Sequence, residues 1–260
     1  MRVVVIGTGY VGLVSGACLA HIGNEVVCLD KDVSKIDLLQ QGQIPIYEPG
    51  LKEIVDHNVG EGRLSFSTDL KTSLKGADCV ILAVGTPTDE KDGSADLSYV
   101  YAAAEEIAEQ LEHEICVVTK STVPVGTGSQ VARIFQDKRP ELQCEIISNP
   151  EFLREGAAVD DFLKPDRIIV GVETEKGKTL MQAVYQPLIG QGYPILFTNV
   201  PTAELIKYAS NAYLATKIAF ANEVADICEG TGADIDLVIK GMGMDQRIGG
   251  QYMKPGPGFG

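Results

Sequence analysis

The feature that most restricts this fold is Gly7-Thr8-Gly9-Tyr10-Val11-Gly12, which follows the apolar run 2–6 and opens a helical pattern. A G-x-G-x-x-G alone is a weak signal, but between a strand and a helix it marks a dinucleotide-binding turn. Gly7 permits the tight turn, Gly9 lets the backbone approach a pyrophosphate, and Gly12 lets helix and strand pack closely. The helix start then offers free N–H groups and a positive dipole end to the phosphates. Gly7, Gly9, Tyr10, Val11 and Gly12 are therefore candidate cofactor-binding positions. Asp30 closes the second strand pattern, about 20 residues further on, where an acid accepts hydrogen bonds from ribose hydroxyls and repels a 2′-phosphate. NAD is expected over NADP, with Lys31 the one residue arguing the other way. Lys35, one turn on, either reaches the same ribose or is a solvated surface lysine. A glycine-rich turn with no ligand is the plainer alternative for the whole motif.

Strand patterns at 2–6, 25–29, 79–84, 115–119, 145–148, 167–172 and 194–197 alternate with helical patterns at 10–22, 33–41, 50–58, 97–112, 127–137 and 175–186. Several strands are apolar throughout, which suits a sheet covered on both faces. The alternation predicts an α/β chain with a Rossmann-like, doubly wound, mostly parallel sheet. Past Asn199 the character changes. Pro201 suits a first helical turn, and an alanine-rich helix of about 28 residues, ~42 Å long, runs to Glu229 with Gly230 as its stop. Its apolar residues (Leu205, Ile206, Tyr213, Leu214, Ile218, Phe220, Val224, Ile227) lie nearly all round, so burial on most faces is expected, as in a strut or an oligomer core. A short helix should follow at 235–240. The domains expected are 1–199, binding NAD, and 200–260, a central helical dimerisation region. The Pro- and Gly-rich tail 254–260 reads as a loop, as if the chain were cut off mid-architecture.

The 260 residues are 45% hydrophobic and 22% charged, an ordinary globular profile, and the net charge of −14 argues against nucleic acid or anionic membrane as a partner. An anionic substrate would need a local basic site. The six cysteines are scattered without ligand spacing and read as core hydrophobes in a reducing compartment; no metal site is expected. A signal-peptide reading of the N-terminus is interrupted by Gly7, Gly9 and Gly12, and no apolar run is long enough to span a membrane, so a cytoplasmic protein is expected.

Two more strand ends carry polar turns: Gly85-Thr86-Pro87-Thr88, and Ser121-Thr122 running to Thr127. They place hydroxyls at the edge where doubly wound sheets bind ligands, or are simply capped turns. After the strand pattern 145–148 comes Asn149-Pro-Glu-Phe-Leu-Arg-Glu-Gly156. Glu151 and Glu155, at i and i+4, would share a face of a helical turn, either for proton transfer or as a solvated pair. Lys207 and Asn211 share a face of the long helix amid alanine and leucine. A buried lysine there is paired, with Glu204 or another glutamate, or is used in chemistry.

Taken in order, 7–13 (GTGYVGL), 84–88 (VGTPT), 92–99 (DGSADLSY), 121–127 (STVPVGT), 149–156 (NPEFLREG), 161–167 (DFLKPDR), 204–223, 245–249 and 255–260 resemble the UDP-glucose/GDP-mannose dehydrogenase family along essentially the whole chain. The wording at 92–99 and 245–260 is closer to the UDP-glucose branch. The resemblance implies NAD-dependent oxidation of UDP-glucose to UDP-glucuronate in two hydride transfers, through an aldehyde captured by a cysteine thiolate and a thioester that is hydrolysed. It assigns Lys207 and Asn211 to stabilising negative charge on oxygen, and Thr122 and Glu155 to the hydrolytic water, proton transfer and the cofactor. Glu151 supports that network. Phe152, Leu153 and Arg154 form the sugar-nucleotide loop, which Tyr252, Lys254 and Gly258 complete. Arg247 is offered to a neighbouring subunit's substrate, which implies a homodimer through the long helix. Gly85, Thr86, Pro87 and Ser121 join the cofactor set. The family places its cysteine nucleophile and a second nucleotide-binding domain beyond Gly-Phe-Gly, so this chain is expected to bind NAD and not to turn over alone. The GDP-mannose and UDP-N-acetylmannosamine branches, and a non-catalytic NAD-binding module, stay open as alternatives.

Overall fold

The β-branched runs form an eight-stranded sheet with the order β3-β2-β1-β4-β5-β6-β7-β8. In the computed structural model of the chain, which describes residues 1–89, 91 and 93–258, the strands are β1 (Arg2–Ile6), β2 (Glu25–Leu29), β3 (Leu64–Ser67), β4 (Cys79–Leu82), β5 (Cys116–Thr119), β6 (Glu145–Ser148), β7 (Ile168–Gly171) and β8 (Ile195–Thr198). Asp92, Phe259 and Gly260, quoted above in two motif stretches, lie outside the described residues. The chain divides into two units, Met1–Leu205 and Ile206–Gly260.

In the first unit, helices α1 (Tyr10–His21), α2 (Val33–Gln40), α3 (Leu51–Gly60), α4 (Leu70–Leu74), α5 (Ser98–Gln110), α6 (Thr127–Lys138), α7 (Ala158–Leu163) and α8 (Glu175–Gly190) cover both faces of the sheet. Side chains alternate across each strand, so Val3 and Val5 join a core with α1, α3, α7 and α8, while Val4 and Ile6 join a second core with α4, α5 and α6. Pairing from β3 through β6 is parallel, which puts the carboxyl ends of β1, β2, β4, β5 and β6 on one edge. The sequence order reverses between β1 and β4, the switch point where such sheets hold ligands.

Some details depart from the sequence-based expectation. Strand β3 was not anticipated; it is a short edge strand in which Leu64 and Phe66 are buried and Ser65 is exposed. The short helices α4 and α7 were also missed. Helix α8 runs on past the expected end before Pro187, because Leu188 is drawn into the core, which offsets the one i to i−4 hydrogen bond that the proline forgoes. β7 pairs antiparallel with β6 through the single register pair Ser148↔Gly171.

Helix α9 (Val200–Thr231) starts in the first unit and runs on as the longest element of the second, with 32 residues rather than the expected 28 or so. It ends before Gly232, at φ +75, not at Gly230. The expected burial on most faces is not met: Leu205, Tyr213, Phe220 and Ile227 are all at least half exposed. A helix that is apolar all round needs neighbours on every side, and the chain does not supply them. Helix α10 (Ile235–Gly243) follows and has no buried residues. The segment after it is irregular but anchored, because the Asn222 side chain pairs with both the N–H (2.8 Å) and the carbonyl (2.9 Å) of Gly256 and Met253 is buried. Among the described residues no helix is long and apolar enough to cross a membrane.

Candidate active site

The three motif glycines are glycine for two different reasons. Gly7 has φ +99, and a Cβ there would lie 2.7 Å from the carbonyl oxygen of Ala83. A Cβ on Gly12 would run into the carbonyl oxygen of Gly7. The fold itself demands those two. Gly9 has an ordinary φ of −70, and a Cβ there would meet nothing within 4 Å. The space at Gly9 is left open beside the first turn of α1, whose N-cap makes no side-chain hydrogen bond. Free N–H groups beside an open backbone fit a diphosphate.

Asp30 sits at the end of β2, beside this turn. Its Oδ2 accepts from the Thr8 N–H and hydroxyl, both at 2.8 Å, and its Oδ1 from the Asp32 N–H at 3.0 Å. Burial opposes ionisation, but those hydrogen bonds and the nearby Lys35 charge hold the carboxyl below its ordinary value. A carboxylate has about four acceptor positions, so with three used capacity remains for a ribose hydroxyl. Lys31 is occupied by Glu106 at 2.6 Å, which removes the one argument for a 2′-phosphate. The Thr8 contribution was not read from the sequence, because it depends on β1 and β2 being neighbours.

The turns after β4 and β5 are stitched to each other. The Thr86 hydroxyl donates to the carbonyl of Thr122 at 3.0 Å, and the Ser121 hydroxyl to that of Val84 at 2.6 Å. Gly85 and Pro87 remain exposed and Thr122 is half-buried. Both expected hydroxyl residues thus fix the shape of the edge.

The segment after β6 is irregular rather than helical, so Glu151 and Glu155 do not share a helix face. Glu151 instead folds back on its own loop and accepts the Leu153 N–H at 2.6 Å, while Glu155 is exposed. Asn149 roots the loop: its Nδ2 donates to the carbonyl of Ile169 at 2.8 Å, and its Oδ1 accepts from the Tyr185 hydroxyl at 2.6 Å and the buried Lys120 at 3.3 Å. Arg154 grips Asp161 of α7 through Nε at 3.0 Å and a terminal nitrogen at 2.6 Å, and the Arg167 guanidinium lies 3.9 Å from the centre of the Phe152 ring. Glu151, Phe152, Leu153, Arg154, Lys120 and Arg167 line a cleft of about 150 Å³.

Glu48 went unnoticed in the sequence. It is 6% exposed, yet sits in the connection between α2 and α3. Its Oε2 accepts from the Tyr10 hydroxyl at 2.5 Å and the Gly156 N–H at 2.8 Å, and its Oε1 from the Ala158 N–H at 2.8 Å. The signal available was an acid set within the otherwise apolar and Pro/Gly-containing run Ile44-Pro-Ile-Tyr-Glu-Pro-Gly50.

In the second unit Lys207 is 6% exposed and Asn211, one turn on, is exposed. Arg247 projects into solvent, paired with Asp245 at 2.6 Å. Tyr252 has a left-handed φ of 59, and Lys254 and Gly258 are exposed. The first unit thus brings the cofactor candidates and the 149–156 loop to one sheet edge, and the second carries Lys207, Asn211, Arg247, Tyr252, Lys254 and Gly258.

Residues 1–189 match the NAD binding domain of the UDP-glucose/GDP-mannose dehydrogenase family, and residues 201–260 match its central domain. The UDP-glucose 6-dehydrogenase of Rhizobium meliloti is 55% identical over all of this chain, and TuaD of Bacillus subtilis, also a UDP-glucose 6-dehydrogenase, is 49% identical. This chain covers 60% of the first and 56% of the second. Among solved structures, a UDP-glucose dehydrogenase from Pyrobaculum islandicum superposes with a TM-score of 0.94 at 42% identity, over 99% of this chain and 60% of that one. A GDP-mannose dehydrogenase from Pseudomonas aeruginosa superposes at 0.90 with 35% identity, over 98% of this chain and 60% of that one.

Proposed function

This chain belongs to the UDP-glucose/GDP-mannose dehydrogenase family, with NAD as its cofactor, and on that premise we propose that it contributes the cofactor half of an enzyme oxidising UDP-glucose to UDP-glucuronate. The observation that carries this reading is Gly9, a glycine the fold does not need, lying open at the start of α1. NAD, when bound, accepts a hydride from the sugar's C6. Gly9, Tyr10 and Val11 present backbone to its diphosphate, Asp30 and Lys35 face a ribose, and Gly85, Thr86, Pro87, Ser121 and Thr122 wall the crevice.

For the substrate, Phe152, Leu153 and Arg154 hold the sugar nucleotide. Thr122, Glu151 and Glu155 organise water and protons. Lys207 and Asn211 stabilise charge on the sugar oxygen, one turn apart on α9. Tyr252, Lys254 and Gly258 complete the sugar-nucleotide contacts, and Arg247 reaches a second subunit. Residues 1–199 bind NAD, and 200–260 form the homodimer contact through the exposed apolar side chains of α9. The reducing cytoplasm suits six free thiols.

Thioester chemistry requires a reactive thiolate, and these cysteines are poor candidates. Burial pushes Cys18 and Cys28 up to about 12 and Cys116 up to about 11, and raises Cys79 and Cys144 as well. Cys228 is buried. On this reading none of the six serves as the nucleophile, and the 260-residue chain is expected to bind NAD without completing the oxidation. Titration calorimetry should show saturable NAD uptake, weaker NADP uptake, and no steady NADH production from UDP-glucose. No heat with NAD from folded protein overturns the reading. The alternative substrate, GDP-mannose, rests on the lesser likeness to the Pseudomonas structure and is decided by assaying the complete protein with both sugar nucleotides.

A further inference from the structure

A buried carboxylate is costly unless its oxygens are satisfied, and an apolar side chain would serve packing alone. Glu48 has three donors within 2.8 Å, and none belongs to its own connection or the two helices flanking it. One is the hydroxyl of Tyr10, the first residue of α1. The other two are backbone N–H groups of Gly156 and Ala158, where the 149–156 loop enters α7. Helix α7 has no cap of its own, because Ala157 at its N-cap offers no side-chain acceptor. Glu48 caps it from across the fold. Asp161, on that same helix, grips Arg154, and the Tyr10 hydroxyl also lies 3.3 Å from the Arg154 carbonyl. The hydrogen bonds run from Tyr10 to Glu48, from Glu48 to α7 and from α7 to Arg154, whose carbonyl lies beside the Tyr10 hydroxyl.

We propose that Glu48 is a positioning residue that ties the first turn of the cofactor helix to the sugar-nucleotide loop, so that occupancy of the cofactor site sets the shape of the substrate loop. The proposal rests on the reading of the glycine turn as the NAD site. When a diphosphate orders the N–H groups of Tyr10 and Val11, the Tyr10 ring is fixed. Its hydroxyl then holds the Glu48 carboxylate in register with Gly156 and Ala158. Coupling of this kind travels through contiguous hydrogen bonds that both sites bias. In the reverse direction, a ligand gripping Arg154 should tighten NAD binding by the same factor.

The test is hydrogen exchange at the 156 and 158 amides of this chain, with and without NAD, in wild type, Glu48→Gln and Tyr10→Phe. Tyr10→Phe keeps the ring and deletes only the hydroxyl, so it remains informative if Glu48→Gln folds poorly. Wild type should gain at least fivefold protection at both amides on binding NAD. Each variant should lose most of that gain, with NAD affinity weakened about threefold to tenfold, and the double variant should be no worse than either single. A side chain that only stabilises the fold would lower the melting temperature and leave the NAD-dependent gain intact. That result, or additive effects in the double variant, overturns the proposal. Wild type that fails to bind NAD at all overturns the cofactor reading instead, which keeps the two failures apart.

Discussion

Replacing Glu204 by alanine should be among the more damaging single changes in the first unit. Glu204 is 2% exposed, and its oxygens accept the N–H groups of Gly126 and Gly128, each at 2.7 Å. Gly126 is the N-cap of α6 and has no side chain, so α9 supplies the cap that α6 lacks. The approach is close: a Cβ on Gly128 would lie 2.5 Å from a Val200 methyl and 3.3 Å from Glu204 itself. A hydrogen bond to a charged group contributes ~1.5–3 kcal/mol, so two give ~3–6 kcal/mol before the cost of burying the carboxylate is set against them. A net loss of about 3 kcal/mol is expected for Glu204→Ala, which lowers the melting temperature by ~6–12 °C in a unit of this size. Glu204→Gln, which keeps one acceptor, should lose about half as much. The pH dependence follows from the direction of the shift. Burial raises the Glu204 pKa although the Gly128 and Gly126 N–H groups pull it down. The folded chain therefore keeps this proton to a higher pH than the unfolded chain does. Its linked stabilisation is full below the ordinary carboxylate range and declines as pH rises through the raised value. Wild type should hold its largest advantage over Glu204→Gln in acid. Urea unfolding across pH measures both. An alanine variant within ~0.5 kcal/mol of wild type, or an advantage over glutamine that grows with pH, refutes the reasoning.

Three further outcomes are expected. Gly9→Ala should melt within ~0.5 kcal/mol of wild type yet bind NAD at least tenfold more weakly by calorimetry, whereas Gly12→Ala should lose ~1–3 kcal/mol because its Cβ strikes the Gly7 carbonyl. Asp30→Asn should be less stable than wild type at neutral pH. Because the Asp30 pKa is depressed, that deficit should shrink as pH falls below ~4 towards the folded value, which urea melts at several pH values would register. Phe220→Glu, on the exposed stretch of α9, should shift sedimentation from dimer to monomer without moving NAD affinity; an unchanged mass rejects the α9 dimer.

What the sequence revealed and what it hid differ in range. The glycine turn, Asp30 and seven of the eight strands are legible because each is local: spacing, periodicity and a strand end suffice. Thr8 bonding Asp30, Glu48 capping α7, Glu204 capping α6 and Asn222 pairing with Gly256 are not legible. In each, a polar side chain meets backbone brought near only by the finished topology. The same cause explains the error at Glu151 and Glu155. Their spacing is helical, but Asn149 and Glu151 hold the loop irregular through bonds to Ile169 and Leu153. Strand β3 escaped for a different reason, since two apolar residues in four make too short a pattern.

The change of direction at β6 leaves a seam. Where the parallel strands share four or five register pairs, the junction with β7 has one, reinforced by the Asn149 amide reaching Ile169. Two strands fastened by so little to the other six should detach before the rest melts. Amides of β7 and β8 would then exchange as a block of lower free energy than those of β1 and β4. The loop that carries Arg154 grows from that same hinge-like junction, so the most yielding line in the sheet runs beneath the loop proposed to hold the sugar nucleotide.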